Sequence, residues 1–475
     1  MSEDLWRATA RQMVRWLKQG EVSPREAIAA AADRIDATDG AVNAMVTRCF
    51  DRAEAAADSL AAAGHPDAPG PGYLYGLPLS IKDLEEVGGV RCTYGSPIFA
   101  DHVPERSNVM VENLEGNGAI IIGKSNTPEF GAGANTFNEV FGATRNPWDT
   151  RMNCGGSSGG AAVNLATGQS WLANGSDLGG SLRIPAAFCS IVGLRPSPGR
   201  CMHGTGPTSF SDLGVCGPMA RNVGDVALML DAMVGRNDRD PLSLAPPAQS
   251  FQSAAEAPRL PARVGYSSTL GIAPVEPEVA AICAEAAQWF AGQGAVVEET
   301  HPDLSGGQEV FQAHRADLFV TGRMHLLEQH RDKLKPEVVW NIEKGVKMTL
   351  GDLAAAKRRR VELYRNMLDF FETHDLLLTP TVMARPFDVT IRYLTEVEGT
   401  TFDNYVDWLM HTYVITLTTC PAISIPCGFT AEGLPVGLQI VAPPQREDRL
   451  LSVAAAFEAD HDFAARVPMD PIVRH

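Results

Sequence analysis

The sequence is poor in basic side chains relative to acidic ones, and it contains no long apolar run. Its 475 residues include 40 Lys and Arg against 57 Asp and Glu, which gives a net charge of −17. Nucleic acids and anionic membrane surfaces attract basic faces, so this balance argues against both as partners. No stretch approaches the roughly 18 apolar residues of a membrane-spanning helix. The first residues, Met1 to Trp6, carry early acids and no apolar core, which is untypical of a signal peptide.

Paired cysteines at metal-ligand or disulfide spacing are also missing. The nine cysteines are scattered and odd in number, without a C-x-x-C pair. His325 and His330 are five residues apart, the wrong spacing for one face of a helix. We therefore expect reduced thiols in a cytoplasmic protein, with no metal and no cofactor.

Helical and strand patterns alternate along the chain, which predicts an α/β layered fold. Ser23-Pro24-Arg25-Glu26 is a capping box that opens a helix, and residues 73–81 read as a strand that ends at Lys82. Residues 305–370 are mostly helical, and three strands are predicted between Leu376 and Val441. No break in composition divides the chain into independent domains.

Three short segments combine glycines with side chains that could carry out acid–base or nucleophilic chemistry. They are Gly76-Leu-Pro-Leu-Ser-Ile-Lys82-Asp83, Gly155-Gly156-Ser157-Ser158-Gly159-Gly160, and Gly175-Ser176-Asp177-Leu178-Gly179-Gly180-Ser181-Leu182-Arg183.

The second segment, taken alone, has several readings. It could be a linker, a phosphate-binding loop, or a nucleophile elbow with Ser158 as nucleophile and a histidine elsewhere. The linker reading fails because an apolar helix follows at once, and the phosphate loop lacks the Gly-Lys-Ser/Thr ending. The elbow requires a buried strand before it, whereas residues 146–154 are polar and contain Pro147.

The third and first segments suggest a serine with a lysine base. Gly179 and Gly180 before Ser181 would let consecutive backbone N–H groups converge, as an oxyanion hole requires. A plain tight turn with a structural ion pair explains the same residues equally well. Lys82 could serve as base if burial lowers its pKa, although a lone lysine at a strand end is usually solvated.

Together the three segments resemble the amidase signature family, with separations of 75 residues from Lys82 to Ser157 and 24 from Ser157 to Ser181. The resemblance extends over most of the chain. Further matching segments are 123–130, 141–148, 193–196, 217–221, 378–381, 421–426 and 433–439.

The resemblance implies a Ser–Ser–Lys catalytic set. Ser181 would attack the amide carbonyl, Ser157 would relay its proton after a cis peptide bond, and Lys82 would be the base. The resemblance also implies an oxyanion hole formed by the backbone of Leu178, Gly179, Gly180 and Ser181. It implies that Ser158, Asp177 and Arg183 orient the catalytic set. The predicted substrate pocket includes Phe130, Gly131, Ala132, Tyr405, Trp408 and Met410. The aromatic members of the pocket favour an aryl or apolar aliphatic amide, with lactams, cyclic oligoamides, esters and carbamates left open.

The family's fold is an α/β fold with a single large mixed twisted β-sheet covered by helices on both faces. We accordingly expect one amidase domain over 1–475, comprising N-terminal helices (1–70), a catalytic core (73–235), a variable, mostly helical substrate-side region (236–375) and C-terminal strands with a helix (376–475). The expected partner is a small-molecule amide substrate, and a homodimer is left open. A glutamine-hydrolysing subunit of a tRNA-dependent amidotransferase is the alternative function.

Overall fold

The computed structural model describes residues 4–474, which form 14 α-helices and 17 strands. The helices are α1 (Ala10–Gln19), α2 (Pro24–Val42), α3 (Phe50–Ala63), α4 (Val109–Gly116), α5 (Gly159–Thr167), α6 (Arg183–Cys189), α7 (Val223–Met233), α8 (Phe251–Glu256), α9 (Pro277–Gly292), α10 (Gly307–His330), α11 (Pro336–Lys347), α12 (Leu350–Phe371), α13 (Met410–Leu417) and α14 (Glu447–Ala459). None of the helices within residues 4–474 is long and apolar enough to cross a membrane.

The strands are mostly short. They are β1 (Met45–Arg48), β2 (Pro78–Lys82), β3 (Ile120–Ser125), β4 (Phe137–Asn138), β5 (Gly142–Ala143), β6 (Arg145–Asn146), β7 (Asp149–Asn153), β8 (Leu172–Asp177), β9 (Val192–Arg195), β10 (Val215–Ala220), β11 (Arg263–Tyr266), β12 (Val296–Glu299), β13 (Leu376–Pro380), β14 (Glu396–Val397), β15 (Thr400–Thr401), β16 (Ala422–Phe429) and β17 (Pro435–Val441).

Eleven of these strands form one sheet in the order β1-β3-β2-β8-β10-β9-β16-β17-β13-β11-β12. Strand β2 runs parallel to both β3 and β8, whereas β8 and β10 are antiparallel. The predicted single large mixed sheet is therefore confirmed.

Side chains from the two faces of this sheet enter separate cores, because successive residues of a strand point to opposite faces. Leu172 of β8 packs in a core with α7 and α14. Its neighbour Ala173 packs on the other face with α5 and α6. Helices therefore cover both faces, as predicted.

The local signals near the site act as expected, with one difference. The Ser23–Glu26 capping box is formed, and the buried strand β2 ends at Lys82. The region 1–70, predicted to be helical, also contains strand β1, which pairs with β3 at the edge of the sheet. Residues 145–153 form a small hairpin outside the main sheet, so no sheet strand leads directly into Ser158.

Candidate active site

Lys82 ends β2 with its side chain fully buried. Its backbone N–H donates to Asn174 Oδ1 on the neighbouring strand β8 at 2.8 Å, which fixes the strand end. The Nζ atom lies within hydrogen-bond distance of three hydroxyls, those of Ser157 (2.7 Å), Ser158 (2.9 Å) and Ser176 (3.0 Å). The lysine is thus enclosed by neutral oxygen atoms.

This environment favours the neutral amine. No carboxylate of the described residues lies within 4.0 Å of the Lys82 nitrogen, and burial lowers its pKa from 10.5 to about 7. Attraction from Glu85 and Asp177 offsets only part of this desolvation. A neutral amine has two N–H donors and one lone pair, so two of the three hydroxyls can accept a hydrogen bond while the third donates one. The arrangement can therefore draw a proton from a serine hydroxyl.

The turn that carries Ser157 is built from close contacts of glycines. The Gly156–Ser157 peptide bond is cis. Thr136 Oγ1 donates to the carbonyl oxygen of Gly155 at 2.8 Å, and a Cβ atom at Gly159 would overlap the Thr136 side chain. These contacts hold the Ser157 hydroxyl between Lys82 and a cavity on the opposite side.

The loop after β8 is organised around the buried carboxylate of Asp177. It accepts hydrogen bonds from the N–H groups of Gly180 (2.9 Å) and Leu182 (3.1 Å) and from Arg183 Nε (3.0 Å) and Nη2 (2.9 Å). Arg195 Nη1 lies 3.4 Å away. Burial alone would raise the pKa of Asp177, but these cations and donors hold it well below its ordinary value. The predicted Asp177–Arg183 pair is thus present and shapes the loop that presents Ser181.

Three of the four predicted oxyanion-hole donors remain free. The N–H groups of Leu178, Gly179 and Ser181 donate to no acceptor within the described residues. The N–H of Gly180 instead donates to Asp177, so the prediction that it is an oxyanion donor is not supported by the geometry. Its φ of 116° and the Thr412 side chain, which a Cβ atom would overlap, both require glycine at this position.

The Ser181 hydroxyl lines the cavity and forms no hydrogen bond within residues 4–474, including none to Ser157. The two loops are nevertheless tied together, because the Ser158 N–H donates to the Ser181 carbonyl oxygen at 3.2 Å. Catalytic hydrogen bonds are often long or poorly aligned before substrate binds and tighten in the complex.

The nucleophile-elbow reading of Ser158 is not supported by this geometry. Its side chain is fully buried, whereas an elbow exposes its serine to substrate. Its hydroxyl bonds to Lys82 and to the backbone of Ser176, and no histidine among the described residues bonds to it. Ser158 therefore orients the lysine.

A cavity of about 510 Å³ opens over Ser157 and Ser181. This volume suits a small organic ligand. Residues from distant segments line it, among them Leu84, Tyr94, Phe130, Gly131, Leu178, Phe311, Leu318 and Phe319. The wall thus combines these aromatic and aliphatic side chains with polar and charged ones.

Only part of the predicted pocket lies on this wall. Phe130 and Gly131 line the cavity, but Ala132 does not. Tyr405, Trp408 and Met410 are buried in the core behind it, and Leu409 reaches the cavity instead. The sequence pattern identified an apolar helical segment without identifying which of its faces meets the ligand.

Sequence reasoning assigned no role to Ser176 or Arg195. Ser176 is the third hydroxyl around Lys82, and Arg195 supports the Asp177 loop. Both residues nevertheless lie in segments that the sequence analysis singled out, Ser176 in the third glycine-rich segment and Arg195 in the matching segment 193–196. Their partners, however, lie on other strands.

One group of three potential metal ligands occurs in the described part of the chain, at the edge of the same cavity. Atoms of Glu85, His203 and Cys216 lie within 4.8 Å of one another. Burial, with Glu85 nearby, raises the pKa of the Cys216 thiol well above its ordinary value. The thiol donates a hydrogen bond to Glu85 Oε1 at 3.4 Å. The absence of a metal requirement stays a prediction.

Comparisons with known proteins show which family and fold the chain resembles. A protein-family model described as Amidase matches residues 26–451. The chain is 34% identical over 472 residues to the acylamidase of Rhodococcus erythropolis, with 98% of each chain covered. It is 36% identical over 492 residues to a glutamyl-tRNA(Gln) amidotransferase subunit of Moorella thermoacetica, covering 98% of this chain and 99% of the relative. Its fold matches the crystal structure of a bacterial aryl acylamidase of the amidase signature family with a TM-score of 0.90, at 28% identity over 97% of both chains.

Proposed function

This chain belongs to the amidase family, and on that premise we propose that it hydrolyses the C–N bond of a carboxylic amide with Ser181 as the nucleophile. The observation that carries the proposal is the buried Lys82 nitrogen, 2.7 Å from Ser157 Oγ, with a pKa of about 7. A free serine hydroxyl lines the adjoining cavity. Together they supply a nucleophile, a relay and a base that is half unprotonated near neutral pH.

In the first stage, unprotonated Lys82 takes the proton of Ser157, which takes the proton of Ser181 as Ser181 Oγ attacks the carbonyl carbon. The developing oxyanion is placed to accept from the free N–H groups of Leu178, Gly179 and Ser181. The relay then returns a proton to the amide nitrogen, because an amine leaves poorly unless it is protonated. The C–N bond breaks and an acyl ester remains on Ser181.

In the second stage, water takes the place of the amine and gives its proton to the same relay as it attacks the ester. The second tetrahedral intermediate collapses, Ser181 Oγ regains a proton, and the carboxylic acid leaves. Each proton removed in one step is returned in another, so the proposed cycle uses only side chains and backbone of this chain, with no metal or cofactor.

We propose an aryl or apolar aliphatic amide as substrate. The proposal is supported by the similarity to an acylamidase and an aryl acylamidase and by the aromatic wall of the cavity, with Phe130 and Phe311 among its residues. Lactams, cyclic oligoamides, esters and carbamates present the same electrophilic carbon to Ser181, so they belong in the substrate panel.

A second candidate is the glutamine-hydrolysing subunit of a tRNA-dependent amidotransferase, favoured by the 36% identity to one component of such an enzyme. The two functions differ in their need for partners. A self-sufficient hydrolase should cleave a simple anilide when purified alone, whereas an amidotransferase component should be silent without its partner subunits.

The proposed function is tested by measuring the release of 4-nitroaniline from short-chain acyl 4-nitroanilides by the purified protein. We expect wild-type turnover and a loss of several orders of magnitude in Ser181→Ala, because the nucleophile is removed. Ser59→Ala is the matched control, since Ser59 is an exposed serine on α3 whose hydroxyl contacts only the Ala55 carbonyl oxygen. Full activity in Ser181→Ala would refute the assignment.

A further inference from the structure

One wall of the cavity carries two arginines on a single helical face. Arg315, Phe319 and Arg323 of α10 are spaced by four residues, so they lie on the same side of the helix. All three line the cavity that contains Ser157 and Ser181. The Phe319 ring lies between the two guanidinium groups, 4.8 Å from Arg315 Cζ and 5.0 Å from Arg323 Cζ.

Arg323 has no acceptor among the described residues. Its Nε atom is buried without a hydrogen-bond partner, and its guanidinium rests against the Phe130 ring at 5.0 Å. The nearest opposite charge, Glu129, lies beyond 4.0 Å, and its two oxygens already accept from Ser96 and from the Lys335 N–H. Burial and the repulsion of Arg315 lower the pKa of Arg323 to about 10.

Arg315 has neutral partners only. It donates to Asn341 Oδ1 at 3.2 Å and to the Tyr405 hydroxyl at 2.8 Å, and no carboxylate of the described residues lies within 4.0 Å of it. These bonds fix the orientation of the guanidinium without neutralising its charge. Two positive charges thus face one enclosed space.

The carboxylates at the cavity wall are already satisfied by protein donors. Glu85 accepts from Asn108 and Cys216, and Glu86 accepts from the Tyr94 hydroxyl at 2.5 Å. Asp177 is held by its arginines, and Asp240 accepts from the backbone N–H groups of His203 and Leu242. Most of these donors are neutral and leave the carboxylate charges in place, so the cavity lining carries both signs, and its two guanidinium groups are concentrated at α10.

The arginine wall is close to the catalytic serines. Phe130, whose ring contacts Arg323, is followed by Gly131, where a Cβ atom would lie 3.3 Å from Ser157 Oγ. Phe130 itself adopts a left-handed conformation with φ of 49°, which is rare for an aromatic residue and typical of functional sites. Two consecutive residues thus connect the proton relay to the unpaired guanidinium.

We propose that the substrate carries a carboxylate, away from the scissile amide, that pairs with Arg323 and is attracted by Arg315. This inference rests on the proposed function and narrows its substrate class to aryl or apolar amides with an anionic end. The buried Nε–H of Arg323 is left without an acceptor, and a planar guanidinium matches a carboxylate through two parallel hydrogen bonds. The acyl side and the amine side of the substrate offer two positions for the carboxylate.

Matched substrate pairs test this inference. Glutaric acid mono-4-nitroanilide and pentanoic acid 4-nitroanilide differ by an acyl-side carboxylate, whereas 4-acetamidobenzoate and 4-methylacetanilide differ by one on the amine side. The ratio of kcat/KM within each pair is the readout. We expect wild-type protein to prefer the anionic member of one pair, and Arg323→Gln to reduce that preference by about tenfold or more. The neutral member of the pair should lose much less kcat/KM than the anionic member.

Two further variants separate charge recognition from damage to the fold. Arg323→Lys should restore part of the preference, because it keeps the positive charge. Arg358→Gln is the control for removing an arginine, since Arg358 is exposed on α12 away from the cavity. An equal loss for both members of a pair in Arg323→Gln, or no preference in the wild type, would overturn the inference while leaving amide hydrolysis intact.

A binding measurement covers the case in which no substrate is turned over. Calorimetry on Ser181→Ala should detect glutaric acid mono-4-nitroanilide or 4-acetamidobenzoate, with affinity reduced by about tenfold when Arg323→Gln is added. Equal affinity in both backgrounds would refute carboxylate recognition. Absence of turnover with retained binding would instead count against the proposed function alone.

Discussion

The pH dependence of activity provides a quantitative test of the role of Lys82. With a pKa of about 7, the unprotonated fraction of the amine is about one-tenth at pH 6 and about nine-tenths at pH 8. We therefore expect kcat/KM for a neutral anilide to rise about tenfold between these values and to level off above pH 8. A lysine with its ordinary pKa would give a rise that continues beyond pH 9.

The lowered pKa of Lys82 also predicts that burial of this side chain reduces the free energy of unfolding by an amount that depends on pH. The folded protein holds Lys82 with a pKa of about 7, compared with 10.5 for the free side chain, so between these values the unfolded chain binds more protons. The free energy of unfolding therefore rises with pH across this window, whereas below the window the destabilisation is complete and no longer depends on pH. Taking about 1.4 kcal/mol per pKa unit, the full cost below pH 7 is roughly 5 kcal/mol.

Lys82→Met tests this cost with a side chain of similar length. We expect it to abolish turnover, and its stability relative to wild type should fall as pH rises from 7 to 10, by up to about 1.4 kcal/mol per pH unit. Urea unfolding at several pH values gives the difference, and the wild-type activity profile is measured on the same preparations. A pH-independent difference, together with a profile that does not level off, would refute the buried neutral amine.

Two other predictions concern the loop that presents Ser181. Gly180→Ala should lower the melting temperature and the activity, because a Cβ atom would overlap Thr412 and the backbone angle costs about 1–3 kcal/mol for residues other than glycine. Gly40→Ala is the control, because Gly40 on α2 has open space around it. This variant should be neutral or stabilising in thermal unfolding. Asp177→Asn should cost about 3–5 kcal/mol in urea unfolding, because it leaves two buried guanidiniums without their carboxylate.

Each result has a clear contrary outcome. Unchanged stability and activity in Gly180→Ala would mean that the loop tolerates a side chain at this position and is not fixed as described. A loss in Asp177→Asn no larger than that in Asp58→Asn, where an exposed pair with Arg25 is broken, would show that the Asp177 network contributes little.

The sheet was largely predictable because its strands are short buried apolar runs. The three strands predicted between Leu376 and Val441 are β13, β16 and β17, and the strand predicted to end at Lys82 is β2, which begins only at Pro78. Strand β1 was missed because Met45–Arg48 is short, partly exposed and placed between two helices, and it becomes a strand only through pairing with β3. Pairing between distant segments overrides such a weak local preference.

The candidate site was predictable in its members and less so in its contacts. Lys82, Ser157 and Ser181 were identified through the resemblance of three segments to the amidase signature family, since each segment alone also had a plain structural interpretation. The use of the Gly180 N–H by Asp177 could not be foreseen, because it depends on how the loop folds over a carboxylate three residues earlier. The pocket prediction favoured Trp408 over Leu409 for a similar reason, since the orientation of that segment is set by its packing against the core.

The sequence by itself determined the α/β alternation and the glycine-rich turns, because these depend on neighbouring residues and on local backbone preferences, and its resemblance to a family pointed to the serines and the lysine. Only the tertiary structure decided that Lys82 is buried among three hydroxyls and that Arg323 faces the cavity without a partner among the described residues. The desolvation of Lys82 and the charge environment of Arg323 both depend on groups that are distant in the chain and adjacent in space. They are therefore set only when the sheet and α10 are assembled around the same cavity.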